Sequence, residues 1–189
     1  MPYFKDVSTR TKFYTEIEWA RSAGLLGGWD DGTFRPLNRI HRDAMAAVLY
    51  RLAGSPHFVP PAAPSFRDVS PGTKFFHEIE WVKQRGLLNG WDDGTFRPVA
   101  DIERGATAAL FYRTAGKPAF TVPRASPFED VRTTHPFYKE ICWLAAPKPD
   151  VHGRAVTISS GWTDGTFRPG HPTARDAMAA FLHRFDKVV

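Results

Sequence analysis

A nine-residue string occurs three times in the chain of 189 residues, and this makes the chain a triplicate. Residues 28–36 and 90–98 both read Gly-Trp-Asp-Asp-Gly-Thr-Phe-Arg-Pro, and residues 161–169 differ from them at one position, Thr163. A Phe-x-Asp-Val sequence opens each copy at intervals of 62 residues, at Phe4, Phe66 and Phe128. We therefore expect three repeats, at residues 1–62, 63–124 and 125–189, that together form one structural unit. A chemical role served by the whole chain should lie at positions that recur.

The third repeat is longer than the other two. Its two tryptophans are 19 residues apart, where those of the earlier repeats are 10 apart (Trp143 and Trp162, against Trp19 and Trp29 and against Trp81 and Trp91). Repeat three thus has a nine-residue insertion, which lies within residues 145–160. Pro147, Pro149 and Gly153 indicate a loop, and the β-prone residues 155–158 suit one arm of a small hairpin.

Two helices are predicted in each repeat. Phe13, Ile17 and Ala20 have the i, i+4, i+7 spacing of an apolar helix face, and the same spacing recurs in the other repeats. Gly24 and Gly86 suit left-handed positions after the first helices, and Pro147 stops the third. An Ala-rich second helix is expected to begin near Arg42, Arg104 and Arg175, with Thr173 and Asp176 resembling a capping box. The string between the helices predicts an Asp-Gly turn with short extended arms.

These elements predict a mainly α fold made of three helix-loop-helix repeats. A unit of about 60 residues buries little surface alone, so the repeats should depend on one another. Neither end of the chain has the polar character of a solenoid cap, which favours a closed pseudo-threefold bundle.

Composition excludes several classes of function. The formal net charge of +5 is spread without a long basic run, and no groove-reading or base-stacking motif occurs, so no nucleic-acid partner is expected. No apolar stretch has the length of a membrane span, and the first residues lack the pattern of a secretion signal. The single cysteine, Cys142, is expected to be incidental.

The recurring positions offer no catalytic or metal site. None of the seven histidines is shared between repeats, and no metal-ligand spacing or nucleophile elbow is present. Asp31 and its counterparts are interpreted as turn residues rather than calcium ligands, and Asp6 and its counterparts as braces for the helix that follows. We predict a protein without catalytic residues, bound metal or cofactor.

Three arginines stand at the wrong helix end for a cation. Arg42, Arg104 and Arg175 are expected at helix N-termini, where free backbone N–H groups and a guanidinium fork would together bind a carboxylate. The tryptophans of the turns, Trp29, Trp91 and Trp162, are equally compatible with flat platforms for sugar rings and with positions in the core. This combination predicts a pocket for an acidic carbohydrate.

In this order and number, the motifs resemble S-layer homology domains over nearly the whole chain. The resemblance implies a threefold spindle of helices whose grooves bind a secondary cell wall polymer, commonly one with pyruvylated amino sugars. It assigns the ligand-binding arginine to Arg42, Arg104 and Arg175, and the loop beside the pocket to the turn pairs Gly32-Thr33, Gly94-Thr95 and Gly165-Thr166. The family's Ile-Thr-Arg-Ala-Glu sequence is altered here, since its glutamate position holds Ala44, Ala106 and Ala177.

The leading interpretation is a noncatalytic module that anchors a protein to the bacterial cell surface by binding an anionic, pyruvylated wall polysaccharide. The alternatives are a protein-interaction scaffold or the targeting part of a larger wall-active enzyme. Internal symmetry suits a monomer. Because Glu103 lies beside Arg104 and could neutralise it, and because repeat three has the insertion, one or two working grooves are expected rather than three.

Overall fold

The computed structural model describes residues 2–189, whose regular structure is mainly α-helical. Each repeat has the predicted helix-loop-helix order, and the second helices begin at the three predicted arginines. The helices are α1 (Tyr14–Ser22), α2 (Arg42–Leu52), α3 (Phe76–Gln84), α4 (Arg104–Thr114), α5 (Tyr138–Ala145) and α6 (Arg175–Asp186). The insertion forms the expected hairpin from two antiparallel strands, β1 (Lys148–Pro149) and β2 (Ala155–Val156). None of these helices is long and apolar enough to cross a membrane.

The chain divides into two compact units that do not coincide with the repeats. Unit one contains the residues up to Asn38 together with Glu103–Val189, and unit two contains Arg39–Ile102. The repeat boundaries, the single structural unit and the pseudo-threefold closure stay predictions.

Helices pair between repeats rather than within them. In unit two, α2 packs against α3, while in unit one α4 packs against α5 and α6 packs against α1. The second helix of one repeat therefore meets the first helix of another, and the last helix of the chain meets the first. The core of unit one is aromatic, with the Phe111 ring centroid 6.4 Å from that of Phe181 and 4.9 Å from that of Phe185.

The ends of the helices follow the sequence in part. Gly24 and Gly86 have φ angles of 70° and 63°, which confirms the left-handed positions after α1 and α3. No glycine follows α5. The Lys148 ammonium instead caps the end of this helix, because it donates to the carbonyl oxygens of Trp143 and Ala146. The predicted capping box of α6 is wrong. Its N-cap residue is Ala174, and the Thr173 hydroxyl bonds to the Thr107 hydroxyl instead, at 3.0 Å.

The Asp-Gly turn is closed by its own backbone and side chains. In repeat one the Trp29 amide donates to the Thr33 carbonyl, and the Asp31 carboxylate accepts from both the amide and the hydroxyl of Thr33. Repeats two and three repeat these bonds. The interpretation of Asp31 as a turn residue is confirmed, whereas the expected extended arms form no strand.

The Phe-x-Asp-Val sequence at the start of each repeat binds and packs against this turn. The Asp6 carboxylate accepts from the amides of Phe34 and Arg35, both at 2.7 Å, and the Phe4 ring packs on the Phe34 ring. Asp68 and Asp130 do the same in the other repeats. The expectation that these acids brace the following helix is wrong, because two consecutive amides of the turn offer the carboxylate a closer pair of donors.

Candidate functional site

The three recurring arginines at the helix starts are buried, with only 7%, 5% and 8% of Arg42, Arg104 and Arg175 exposed. Each guanidinium uses Nε to donate to the backbone carbonyl of the phenylalanine in a turn, at 2.8–2.9 Å. The acceptors are Phe96 for Arg42, Phe167 for Arg104 and Phe34 for Arg175. One Nη donates to a second oxygen of the same turn, namely Asn89 O, Ser159 Oγ and Gly27 O respectively. The tertiary structure therefore fixes each guanidinium at two of its five N–H donors.

The other terminal nitrogen of each guanidinium reaches solvent. Within residues 2–189, the hydrogen bonds of these guanidinium groups involve Nε and Nη2, and none involves Nη1. The buried side-chain atoms that lack a partner in this part of the chain are Arg21 Nε, Thr114 Oγ1 and Glu140 Oε2. Because Nη1 of the three arginines has no partner and is not among these buried atoms, it is accessible. An approaching anion would thus find free N–H donors on each group.

A tryptophan of the turn covers each of these guanidinium groups. The Arg42, Arg104 and Arg175 Cζ atoms lie 4.1, 4.1 and 4.3 Å from the ring centroids of Trp91, Trp162 and Trp29. A second arginine of the turn lies within 4.6 Å of each ring, namely Arg97, Arg168 and Arg35. Trp29 and Trp91 remain 38% and 40% exposed. The core interpretation of these two rings is therefore wrong, while their service as sugar platforms stays a prediction.

The helix N-termini do not offer the free amides that were expected. The Arg42 and Asp43 amides donate to the carbonyls of Ala100 and Pro98, at 3.0 and 2.9 Å. The equivalent amides in the other repeats donate to His171 O and Pro169 O, and to Asn38 O and Pro36 O. The chain that follows each turn folds over the helix start and uses the first two amide donors of each helix. In repeats one and three the third amide donates to the carboxylate of Asp43 or Asp176.

Burial lowers the pKa of Arg42, Arg104 and Arg175 to about 10, from the usual 12.5. All three groups are still cations at neutral pH. Glu103 does not neutralise Arg104, because Glu103 is exposed and takes part in none of the ion pairs within residues 2–189. The number of working grooves stays a prediction.

The Gly-Thr pairs lie in the same turns as the tryptophans, and their contacts are internal. The hydroxyls of Thr33, Thr95 and Thr166 each donate to the aspartate of their own turn, at 2.6 Å. Gly32, Gly94 and Gly165 have φ angles of 77–80°, which the turn requires. These residues shape the site, and a direct ligand contact by them stays a prediction.

Sequence reasoning missed two contributors to the site. Arg35, Arg97 and Arg168 were not among the predicted site residues, yet each lies against the tryptophan of its own turn. Their recurrence in all three repeats was the signal that could have identified them. The Ser159 hydroxyl left no such signal, because it occurs in one repeat only.

A cavity of about 380 Å³ opens beside Arg104 in unit one. Ser159 and the turn residue Trp162 line it, together with Phe181 and Arg184 of α6 and with Lys12. This volume lies near the lower end of the range of small-molecule sites, about 300–1,000 Å³.

Comparison with known proteins finds one family model and relatives named for the cell surface and for anchoring. Residues 3–46 and 65–108 match the model of the S-layer homology domain, and these segments contain Arg42 and Arg104. The chain is similar to Cell surface glycoprotein 1 of Acetivibrio thermocellus, with 26% identity over 84% of this chain and 7% of the relative. It is also similar to the Cellulosome-anchoring protein of the same organism, with 29% identity over 73% of this chain and 31% of the relative. The chain thus spans less than a third of either relative's length.

Proposed function

The chain carries tandem S-layer homology domains, and from this premise we propose that it is a noncatalytic module that anchors a protein to the bacterial cell surface. Its ligand is an anionic wall polysaccharide, which the arginine at each helix start binds together with the tryptophan that covers it. Pyruvylated sugar units, which carry a free carboxylate on the carbon of a cyclic acetal, are the proposed acidic groups. The names of the two relatives support the surface location.

The observation that carries the proposal is the repeated pairing of a buried guanidinium with a half-exposed indole. The guanidinium is held by two protein oxygens and keeps donors for a carboxylate, which it binds best through a planar fork. The adjacent indole offers a flat apolar face that suits a sugar ring, together with an N–H donor. The pair therefore matches the two parts of an acidic sugar.

Three sites on one chain would strengthen the attachment without strong binding at any one of them. A polysaccharide presents many copies of its repeating unit, so the second and third contacts form at a high effective concentration. Anchoring to a wall needs this slow release rather than tight binding of one sugar.

The proposal is tested by retention of purified wall polysaccharide on the immobilised full chain. Replacing Arg42, Arg104 and Arg175 together by Gln should weaken retention at least tenfold, because the free donors and the charge are lost. The triple Arg→Lys variant keeps the charge but not the planar fork of donors. Its retention of polysaccharide should lie between that of the wild type and that of the Arg→Gln variant.

The control replaces three exposed arginines, Arg10, Arg124 and Arg132, by Gln, so that the net charge changes equally. This variant should retain polysaccharide as the wild type does. Circular dichroism monitors the fold of every variant, since the three site arginines also bond to backbone oxygens. Equal retention by the wild type and a folded Arg→Gln triple variant would overturn the proposal.

A further inference from the structure

Repeat three replaces a buried leucine beside the site by a serine. Leu26, Leu88 and Ser159 each lie three residues before the tryptophan of their turn, and all three are 3% exposed. Two of the repeats therefore have an apolar side chain at this position, and the third has a hydroxyl, which lies after the hairpin.

The serine changes how the arginine of that groove is held. Arg42 and Arg175 donate from Nη2 to backbone carbonyls, at 2.7 and 2.6 Å, whereas Arg104 donates from Nη2 to Ser159 Oγ, at 3.2 Å. A carbonyl oxygen only accepts hydrogen bonds. A hydroxyl that accepts from Arg104 still has its own hydrogen to donate, which adds a donor to this groove.

The cavity beside Arg104 also gathers positive charge. Lys12, Arg104 and Arg184 line it, and no carboxylate is among its lining residues. Arg184 is fixed by a bond from Nη1 to Ile158 O, at 3.1 Å, in the residue that precedes Ser159. The segment that follows the hairpin thus positions both the hydroxyl and one of the three cations.

We infer that the Arg104 groove is a dedicated anion pocket in which Ser159 is a specificity-determining residue for a single acidic sugar unit. This inference deepens the proposed function and rests on it. Arg104 and the Ser159 hydroxyl bind the acidic group, and Trp162 and Phe181 enclose the sugar ring. Lys12 and Arg184 attract the negative charge of the ligand. A sugar carboxylate and a sugar phosphate share the chemistry that this pocket recognises.

The test titrates the full chain at constant ionic strength with sodium D-glucuronate, D-glucose 6-phosphate and D-glucose. Binding is measured by calorimetry and by the NMR signal of the Trp162 indole N–H. At least one of the two anions should bind measurably better than neutral glucose. Ser159→Ala and Ser159→Leu should each weaken binding of that anion about tenfold, because a hydrogen bond to a charged group is lost. The leucine variant reproduces the residue that its two counterparts bury, so its fold is protected.

Two matched controls accompany these variants. Lys12→Gln should weaken anion binding several-fold, whereas Lys74→Gln, its counterpart one repeat later, should leave binding within twofold of wild type. Ser22→Ala, an exposed serine on α1, should also have no effect.

Glucose binding at least as strong as that of both anions would overturn the inference, as would an anion affinity that neither Ser159 variant changes. Either result leaves the anchoring proposal standing if the wild-type chain still retains wall polysaccharide. Failure of that proposal is seen separately, as undiminished retention by the Arg42/Arg104/Arg175→Gln variant.

Discussion

The arginines at the helix starts have a structural role and are also the candidate ligand-binding residues. A cation at a helix N-terminus is unfavourable unless something offsets it. Here the offset comes from two oxygens of a turn and the face of an indole, as Arg42 shows with Phe96, Asn89 and Trp91. The side chain is thereby rigid before any ligand arrives, which lowers the entropy lost on binding.

The aspartates of the three turns make the stability of the fold sensitive to acid. Hydrogen bonds from a threonine and an arginine lower the pKa of Asp31, Asp93 and Asp164 to about 2, from 3.8. A carboxylate with a lowered folded-state pKa stabilises the fold above its unfolded-state value, and this contribution is lost as the pH falls from about 4 towards 2. Burial raises the pKa of Asp43 and Asp176, so these two groups act in the opposite direction.

Asp93→Asn should therefore flatten the acid side of the stability profile. Urea unfolding between pH 5 and pH 2 should show a smaller loss of stability on acidification than in the wild type. Asp92→Asn is the control, because Asp92 is the exposed neighbour and makes none of the hydrogen bonds found within residues 2–189. A wild-type acid profile in Asp93→Asn would contradict the assignment.

At the scale of the element, the turn rather than either helix is the unit that the chain repeats most closely. It is closed by an aspartate and a threonine, held by the Phe-x-Asp-Val opening, and seated against the arginine at a helix start. The turn also needs its first glycine, because a Cβ at Gly28 would lie 2.5 Å from both the Phe4 ring and the Thr33 carbonyl. Gly90 and Gly161 are equally confined.

Gly28→Ala should destabilise the protein by about 1–3 kcal/mol, the usual cost of inserting a methyl group where there is no space. The adjacent Gly27 is the matched control, since a Cβ there meets nothing within 4 Å and its φ angle is not positive. Gly27→Ala should therefore leave stability unchanged or raise it slightly. Urea unfolding of the two single variants measures the difference, and equal midpoints would show that the turn can move aside.

At the scale of the whole molecule, stability depends on helices from different repeats. In unit one α6 covers α1, where Ile17 and Ala20 are fully buried, and α5 covers α4, where Leu110 and Phe111 are fully buried. The apolar side chains of one repeat are therefore buried by a helix of another repeat.

A chain ending at residue 124 should lose its cooperative thermal transition, because it lacks both α5 and α6. Circular dichroism should show much lower helix content than the remaining helices would give. A chain ending at Asp186, which removes only the last three residues after α6, should melt like the full-length protein. A sharp transition at the wild-type temperature in the shorter chain would mean that repeats one and two are stable alone.

Most of the secondary structure was predictable from local chemistry. The helix starts at Arg42, Arg104 and Arg175, the glycines after α1 and α3, and the hairpin of the insertion all follow from residues within a few positions of one another. Repetition strengthened the prediction of the helix starts, which recur three times, and to a lesser degree that of the glycines, which recur twice.

The site was predictable only in its members and not in its geometry. The sequence identified the recurring arginines and tryptophans, because recurrence and the unusual charge at a helix start can be seen along a chain. The contacts that decide what these residues do join positions such as Arg175 and Phe34, 141 residues apart. Only the tertiary structure decided that the helix-start amides are used by the backbone, that Asp6 holds the turn, and that Ser159 joins Arg104. Each of these results depends on which distant donor and acceptor fit at hydrogen-bond distance, and no local preference encodes that distance.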